Sequence, residues 1–265
     1  AQFDCTVDDN GSDIAICDDV TMFYIPDEFT KRKKIKINFH LMLRETGDPL
    51  NFTETDDGLG NTNYTGYDFA NEIISIANQR LTSNSQMNLP QGNLTSVLDR
   101  NYELQLEGVY FHRDDNSYTY NGTSLSQLMN DYGINKGSEV NVFWVYDDSS
   151  NPQGGGNANM SGDRSFRLKN TWQLYELYGN AFWGTTGTFI HELGHNLGLH
   201  HTVRWNSGPC GNIDDCCSDT PSRNDLLNAG EPDPCCGWGS GNIDHCSNNM
   251  MDYSGQLAVT PEQLG

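Results

Sequence analysis

The sequence predicts a mixed α/β (α+β) fold in which a sheet packs on helices. Segments with the two-residue alternation of strands are separated by segments in which apolar residues recur at helical spacing. A chain of 265 residues is also long enough to bury a sizeable core. The apolar fraction is only 35%, and Asn, Gly, Ser and Thr are abundant, so we expect long polar loops between the elements.

The first two elements are predicted from their apolar periodicity. Apolar residues occupy alternate positions from Lys34 to Arg44, which is typical of a strand. A helix is predicted over 68–81, because its apolar residues share one helical face. These residues are Phe69, Ile73, Ile76, Ala77 and Leu81.

Further elements follow in alternating order. A second strand is predicted over 103–112 and a third, more buried strand over 139–146. Between these strands, Ser124 is an N-cap candidate for a helix that ends at Gly133. Near the end of the chain, Thr260 and Pro261 form the start signal of another helix.

The most informative segment runs from His191 to His201 and has the sequence of a zinc-binding helix. On a helix, His191 and His195 lie one turn apart on one face, so both imidazoles can bind one ion. Gly198 permits a left-handed turn that ends the helix, after which His201 can supply a third ligand. Three protein ligands leave one position open for water, as in catalytic zinc sites.

Glu192 makes this predicted site a candidate for hydrolysis. Zinc lowers the pKa of bound water to about 7. Glu192 lies beside the ligand face and is predicted to be the general base that accepts the water proton. The alternatives are a buried helix with incidental histidines, or a different peptidase architecture in which Glu231 is the third ligand. Thr185, Thr186 or Thr188 is the predicted cap of this helix.

The extended motif resembles that of the metzincin zinc peptidases, which also have a methionine turn beneath the metal. The segment Asn249-Met250-Met251-Asp252-Tyr253 is the candidate for this turn. The resemblance implies that Met251 forms the floor under the histidines. It also implies that the Tyr253 phenol lies near the zinc, where it could donate a hydrogen bond to the oxyanion. Met250 competes for the floor position, but only Met251 preserves the Met-x-Tyr spacing.

Within the metzincins, the second half of the chain is most similar to the pappalysin family. The looser matches are His201-Thr202, Cys210, Asp219-Thr220-Pro221 and Cys246. The vicinal pairs Cys216-Cys217 and Cys235-Cys236 depart from the family pattern, so its disulfides cannot be transferred. The resemblance implies a twisted, mostly parallel sheet with an antiparallel edge strand, and an irregular, disulfide-rich C-terminal lobe. It also places an exposed edge strand in Asn151–Gly162, where substrates could add as a further strand; a flexible loop is the alternative.

We expect an N-terminal segment over 1–33 and a metallopeptidase catalytic domain over 34–265. The domain is expected to have an upper lobe at 34–198 and a lower lobe at 199–265. Eight cysteines favour an oxidising compartment, so we predict a secreted or extracellular protein, with the periplasm and the cell surface as alternatives. Isolation near the N-terminus favours a Cys5–Cys17 bridge; in the alternative, one of the two binds zinc in a latent form.

The charge of the chain restricts its partners. A formal net charge of −21 would repel nucleic acids and anionic membranes, and no run of about 18 apolar residues could insert into a membrane. We expect a monomer that acts on protein or peptide substrates. The cysteine-rich segment also contains candidate calcium ligands, since calcium binds six to eight oxygens. They are Asp214, Asp215, Asp219 and Asp244.

The sequence therefore predicts a zinc endopeptidase. The alternative is a zinc-containing binding or adhesion module with little or no peptidase activity.

Overall fold

The structure is a computed structural model, and it describes most of the chain. Complete residues are described at 25–100, 102–150, 154–159, 164–180, 182–202, 215, 217–232, 247–252 and 257–264, and the backbone alone at 3–5, 203–204 and 211–212. The described residues belong to two compact units. The first takes its residues from Ala1–Asp8, Lys34–Gln79 and Tyr102–Leu197, and the second from Asp9–Lys33, Arg80–Asn101 and Gly198–Gly265.

Strands and helices alternate along most of the chain. In order they are β1 Phe3–Cys5, β2 Lys33–Leu43, α1 Gly66–Thr82, β3 Tyr102–Arg113, α2 Leu125–Tyr132, β4 Val140–Val145, β5 Gly154–Ala158, β6 Ser165–Lys169, α3 Thr171–Tyr178, α4 Phe182–Asn196, β7 Val203–Arg204, β8 Gly211–Asn212, α5 Arg223–Asn228 and a 3-10 helix Glu262–Leu264. Among the described helices, none has the length and apolarity needed to cross a membrane.

The first unit is built on a six-stranded sheet with the order β1-β5-β6-β4-β2-β3. Strand β4 is parallel to both β2 and β6, whereas β5 is antiparallel to β6. The predicted mixed α/β fold with a mostly parallel sheet and an antiparallel strand toward one edge is therefore confirmed. All six residues of β4 are buried, which explains why its sequence is almost continuously apolar.

An aromatic core joins one face of this sheet to helices α1 and α4. Phe39 of β2 stacks on Trp144 of β4 at 5.5 Å and on Phe189 of α4 at 6.0 Å between ring centroids. Phe69 of α1 contacts Phe39 and Trp144 edge-on. Because neighbouring strand residues point to opposite faces, the alternate residues pack against α2 on the other face. That second cluster consists of Met42, Phe143, Val145, Leu125, Leu128 and Met129.

His40 and His112, which the sequence places on strands away from the zinc motif, form a hydrogen-bonded pair in which His40 is buried and His112 half-buried. The His40 Nδ1 atom lies 2.9 Å from Nε2 of His112, and the His40 Nε2 atom lies 2.9 Å from Oδ1 of Asn141. The His40 ring also stacks on Tyr110 and Phe143. Burial lowers the pKa of His40 to about 3, so His40 is neutral in the folded protein at ordinary pH.

Helix boundaries follow local signals where a cap is present. Ser124 caps α2 by accepting a hydrogen bond from the Gln127 amide at 3.1 Å, as predicted, and α2 ends before Gly133. In α1, Ile74 is buried, whereas Ile76, which was predicted to lie on the apolar face, is only half-buried. The buried face of α1 therefore differs from the predicted face at these two residues.

No clear signal in the sequence predicted strand β6 or helices α3 and α5. The predicted helix at Thr260 is a single 3-10 turn, Glu262–Leu264, capped by the Thr260 hydroxyl.

In the described part of the second unit, side chains form hydrogen bonds with distant backbone groups. Arg100 donates to the carbonyl oxygens of Arg80 at 3.2 Å and Leu257 at 2.8 Å. Asn84 donates to the carbonyl oxygen of Val259 and accepts from the Val259 amide, both at 3.1 Å. These bonds connect 80–101 to the last described segment of the chain.

Candidate active site and metal centre

Helix α4 carries three of the predicted site residues, and all three are buried. His191 and His195 are 1% and 0% exposed, and Glu192 is 0% exposed. The prediction for the start of this helix was wrong, since α4 begins at Phe182 and Thr185, Thr186 and Thr188 lie within it. The Thr186 hydroxyl donates to the Phe182 carbonyl oxygen at 2.7 Å. Packing of the apolar face of α4 outweighs the weak helix propensity of these β-branched residues.

The two helical imidazoles are arranged as ligands of one ion. Their Nε2 atoms lie 3.1 Å apart, and their rings are nearly perpendicular, with an interplanar angle of 88°. Two nitrogen ligands on a tetrahedral zinc ion lie about 3.3 Å apart, so the pair already has the required spacing.

The backbone after α4 turns as the motif predicts. Gly198 has a φ of +103°, a conformation that residues with a side chain rarely adopt. His201 follows and is 8% exposed. One ring nitrogen from each of His191, His195 and His201 lies within 4.8 Å of the others. This buried set of three nitrogen donors fits a zinc ion that keeps a fourth position for water.

Strand β5 lies directly against Glu192. A Cβ atom added to Gly156 would lie 2.8 Å from Cγ of Glu192 and 2.8 Å from the carbonyl oxygen of Arg167. The absence of a side chain at Gly156 therefore allows the β5 backbone to contact Glu192. Sequence reasoning missed this glycine, because its partner lies in a distant element.

The strand predicted within Asn151–Gly162 exists as β5, but it is not exposed. All five of its residues are buried. Its outer side pairs in parallel with β1, in the register Phe3↔Gly154, Asp4↔Gly155 and Cys5↔Gly156. The N-terminal strand therefore covers the part of β5 that passes Glu192.

The predicted methionine-turn residues are buried in the second unit. Met251 is 0% exposed and Met250 3% exposed. Tyr253 lies outside the described residues. Asp252, which sequence reasoning did not select, accepts a hydrogen bond from the Thr202 hydroxyl. Burial raises the pKa of Asp252 to about 7, and the nearby charge of Asp215 acts in the same direction.

Two of the four predicted calcium ligands are described, and both accept hydrogen bonds from protein groups. Asp215 accepts from the Thr220 hydroxyl and from the Cys217 amide. Asp219 accepts from the Glu262 amide at 3.0 Å, and burial raises the pKa of Asp219. Ligand atoms of Cys217, Asp219 and Glu262 lie within 4.8 Å of one another. Glu262 was missed because it lies 43 residues after Asp219.

The other two predicted calcium ligands, Asp214 and Asp244, lie outside the described residues. The Cys5–Cys17 bridge cannot be assessed either, because only the backbone of Cys5 is described and Cys17 is not.

Comparison with known proteins identifies the family. The model of the Metallo-peptidase family M12 matches residues 53–260, which is most of the chain and includes the whole His191–His201 motif. The chain belongs to this family. Membership makes it a peptide hydrolase with protein or peptide substrates, and it implies a zinc ion at the three imidazoles.

The fold of this M12 metallopeptidase is similar to a solved structure described as mirolysin in complex with compound 9. The TM-score is 0.52 and the sequences are 16% identical, over 89% of this chain and 90% of the mirolysin chain. At this identity the likeness concerns the fold, which is that of a metzincin. Among curated proteins, none matches the sequence significantly.

Proposed function

We propose that this M12 metallopeptidase is a zinc-dependent endopeptidase with Glu192 as its general base. The observation that carries the proposal is the convergence of His191, His195 and His201 beside the buried carboxylate of Glu192. A bound zinc ion would polarise a water molecule and the substrate carbonyl. The Glu192 carboxylate would accept the proton of that water and deliver it to the leaving amine.

The surroundings of Glu192 support this role. A carboxylate with no exposed surface is held at a defined position, and the contact with Gly156 restricts its side chain further. We propose that the Tyr253 phenol donates a hydrogen bond to the oxyanion, and that Met251 is the floor beneath the histidines. The support for these two roles is the Met-x-Tyr spacing together with the complete burial of Met251.

Substitution of Glu192 by Ala tests the general base. The variant should bind zinc as the parent chain does, while cleavage of casein or a mixed peptide library should fall by several orders of magnitude. Glu176→Ala, which removes an exposed carboxylate of α3, is the matched control and should retain full activity. Undiminished cleavage by the Glu192→Ala variant would show that Glu192 is not the general base. If the parent chain cleaves nothing, with or without a chelator, the binding-module alternative is favoured instead.

We further propose that an extended peptide substrate pairs with the outer side of β5. The backbone of β5 passes Glu192 at Gly156, so a peptide bound there would lie beside the base. Strand β1 occupies this side and would compete with the substrate. Deletion of residues 1–8 should therefore lower the KM for long peptides. Deletion of residues 1–2, which precede β1, is the matched control. An unchanged KM after the longer deletion argues against strand addition.

We also propose that the protein is a pappalysin-type enzyme, that it is secreted and that it binds a calcium ion. A pappalysin-type enzyme is supported by His201-Thr202 and by the segment Asn249–Tyr253, and secretion by the eight cysteines. A calcium ion in the cysteine-rich segment is supported by the proximity of the Asp219 and Glu262 carboxylates. Thermal unfolding with and without added calcium, in the presence of zinc, tests this point, and an unchanged Tm counts against it.

A further inference from the structure

The proposed general base lies against a strand that has no side chain at the point of contact. Glu192 belongs to α4, and Gly156 belongs to the buried strand β5. The φ angle of Gly156 is not positive, so the backbone conformation does not by itself require glycine. The reason for a glycine at this position therefore lies in the space around it.

The space around Gly156 is filled by three neighbouring atoms. An added Cβ atom would lie 2.7 Å from Cδ2 of Leu168, 2.8 Å from the carbonyl oxygen of Arg167 and 2.8 Å from Cγ of Glu192. Carbon atoms in contact normally lie about 3.5–4.0 Å apart. The Leu168 methyl group ends a flexible side chain, whereas the Arg167 carbonyl belongs to the main chain of β6. A side chain at position 156 would therefore displace Glu192, the strand β5 itself, or both.

Strand β5 is held in place from its opposite face by Arg167. Neighbouring strand residues point to opposite faces, so the Asn157 side chain points away from Glu192. The Arg167 Nε atom donates to Oδ1 of Asn157 at 2.6 Å, and its Nη1 atom donates to the carbonyl oxygens of Tyr120 at 2.8 Å and Thr123 at 2.7 Å. The guanidinium carbon also lies 4.0 Å from the centroid of the Tyr120 ring. These contacts tie β5 to the segment before α2, so β5 resists movement away from α4.

We infer that Gly156 is a positioning residue of the peptidase site, because it lets the fixed backbone of β5 set the position of the Glu192 carboxylate. The inference rests on the proposed function in taking Glu192 as the general base. A general base must lie within hydrogen-bond reach of the proton that it accepts. Misplacement of reacting groups by about 1 Å can lower the rate about 100-fold. A side chain at position 156 should therefore lower kcat while the zinc ion stays bound.

Substitution of Gly156 by Ala tests the inference. The kcat for a peptide that the parent chain cleaves should fall about 100-fold. Zinc affinity, measured by competition with a chromophoric chelator, should equal that of the parent chain, because the three atoms nearest to the added Cβ belong to no histidine. An unchanged kcat in the folded variant would overturn the inference.

Gly66→Ala is the matched control for steric strain at a glycine without positive φ. A Cβ atom added to Gly66 would lie 2.5 Å from Cδ1 of Leu41 and 2.5 Å from Cε1 of Phe111, which belong to β2 and β3 and not to α4. This variant should have a lower Tm than the parent chain but the same kcat. Equal losses of kcat in Gly66→Ala and Gly156→Ala would show a general effect of strain and contradict the inference.

A double-mutant cycle measures the contact between Gly156 and Glu192 without turnover. Glu192→Ala removes the Cγ atom that the added methyl group would meet. Gly156→Ala should therefore lower the Tm less in the Glu192→Ala background than in the parent chain. Equal decreases in the two backgrounds would count against the inference. Failure of the proposed function differs, since Glu192→Ala would then stay active whatever the cycle shows.

Arg167→Met keeps the test decisive if Gly156→Ala does not fold. Met retains an unbranched apolar side chain but cannot donate the hydrogen bonds to Asn157 and to the Tyr120 and Thr123 carbonyls. Without these bonds β5 is free to move away from Glu192. The kcat should therefore fall, although less than in Gly156→Ala, while zinc affinity stays at the parent value. An unchanged kcat in Arg167→Met would then contradict the inference.

Discussion

The helix that carries His191 and His195 and the segment that carries His201 are held by different forces. Helix α4 is anchored by the aromatic rings of the first unit, among them Phe189, whose ring centroid lies 5.4 Å from that of Phe166. The described part of the second unit also contains side-chain hydrogen bonds between distant residues, such as those of Asn249 and Arg100. Apolar packing depends on volume, whereas a buried polar network depends on the identity of each donor and acceptor. The first region should therefore be most sensitive to lost volume, and the second to substitutions that preserve volume.

The largest effect is expected from Phe189→Ala in the first unit. The substitution removes a 0% exposed ring that stacks on Phe39 and Trp144, and should lower the free energy of unfolding by about 3–5 kcal/mol. Denaturant unfolding followed by tryptophan fluorescence measures this change. Leu177→Ala, at a position 69% exposed, is the control and should change stability by less than about 0.5 kcal/mol. A loss below about 1 kcal/mol in Phe189→Ala would show that the aromatic core does not anchor α4.

A smaller loss is expected from Asn249→Leu in the second unit. The Asn and Leu side chains are similar in volume, but Leu cannot form hydrogen bonds. The substitution therefore removes the bond from the Met251 amide to Asn249 and the bond from Asn249 to the Gln263 side chain. Each buried group left unsatisfied costs about 1–3 kcal/mol. Thermal unfolding measures the loss. If the variant is as stable as the parent, the second unit is held by packing like the first, and the contrast between the regions disappears.

A pH dependence of similar or smaller size is expected from His40 in the first unit. Its pKa is about 3 when folded and about 6.5 when unfolded, so only the unfolded chain gains this proton between those values. Stability should therefore fall as the pH drops below about 6.5, by up to about 1.4 kcal/mol per pH unit. In His40→Gln this contribution is absent, and the decrease in Tm from pH 7 to pH 5 should be smaller. His112→Gln is the comparison variant. Burial lowers the pKa of His112 as well, but His112 is only half-buried. Parallel pH profiles for the parent and His40→Gln would contradict the assignment.

The smallest effects are expected from two helix caps, one in each unit. Ser124 caps α2, and Ser222 caps α5 by accepting from the Asp225 amide at 3.3 Å. Substitution of either serine by Ala should cost about 1 kcal/mol, since the same local bond is lost in each. Circular dichroism during thermal unfolding measures both. A much larger loss at Ser222 would show that the described part of the second unit depends more on its local cap than the first unit does.

Some elements could be predicted because their signals are local. The strand at Lys34 to Arg44, the capped helix after Ser124 and the buried strand β4 follow from alternation, capping and apolar runs. Local signals failed where packing decided the outcome. Helix α4 extends back to Phe182, past the predicted threonine caps, because Phe182 is buried at 3% exposure. At β5, the pairing with β1 could not be foreseen, since it joins residues about 150 positions apart, a separation at which local propensity carries no information.

By itself, the sequence determined the chemistry of the site: three imidazoles, one carboxylate and a glycine turn between His191 and His201. Residues within a few helical turns of one another have relative positions that the backbone geometry dictates. The tertiary structure alone decided what surrounds that site. It placed Gly156 against Glu192, paired His40 with His112 and bonded Thr202 to Asp252. Such contacts join residues distant in sequence, so they depend on how the whole chain closes on itself rather than on any local pattern.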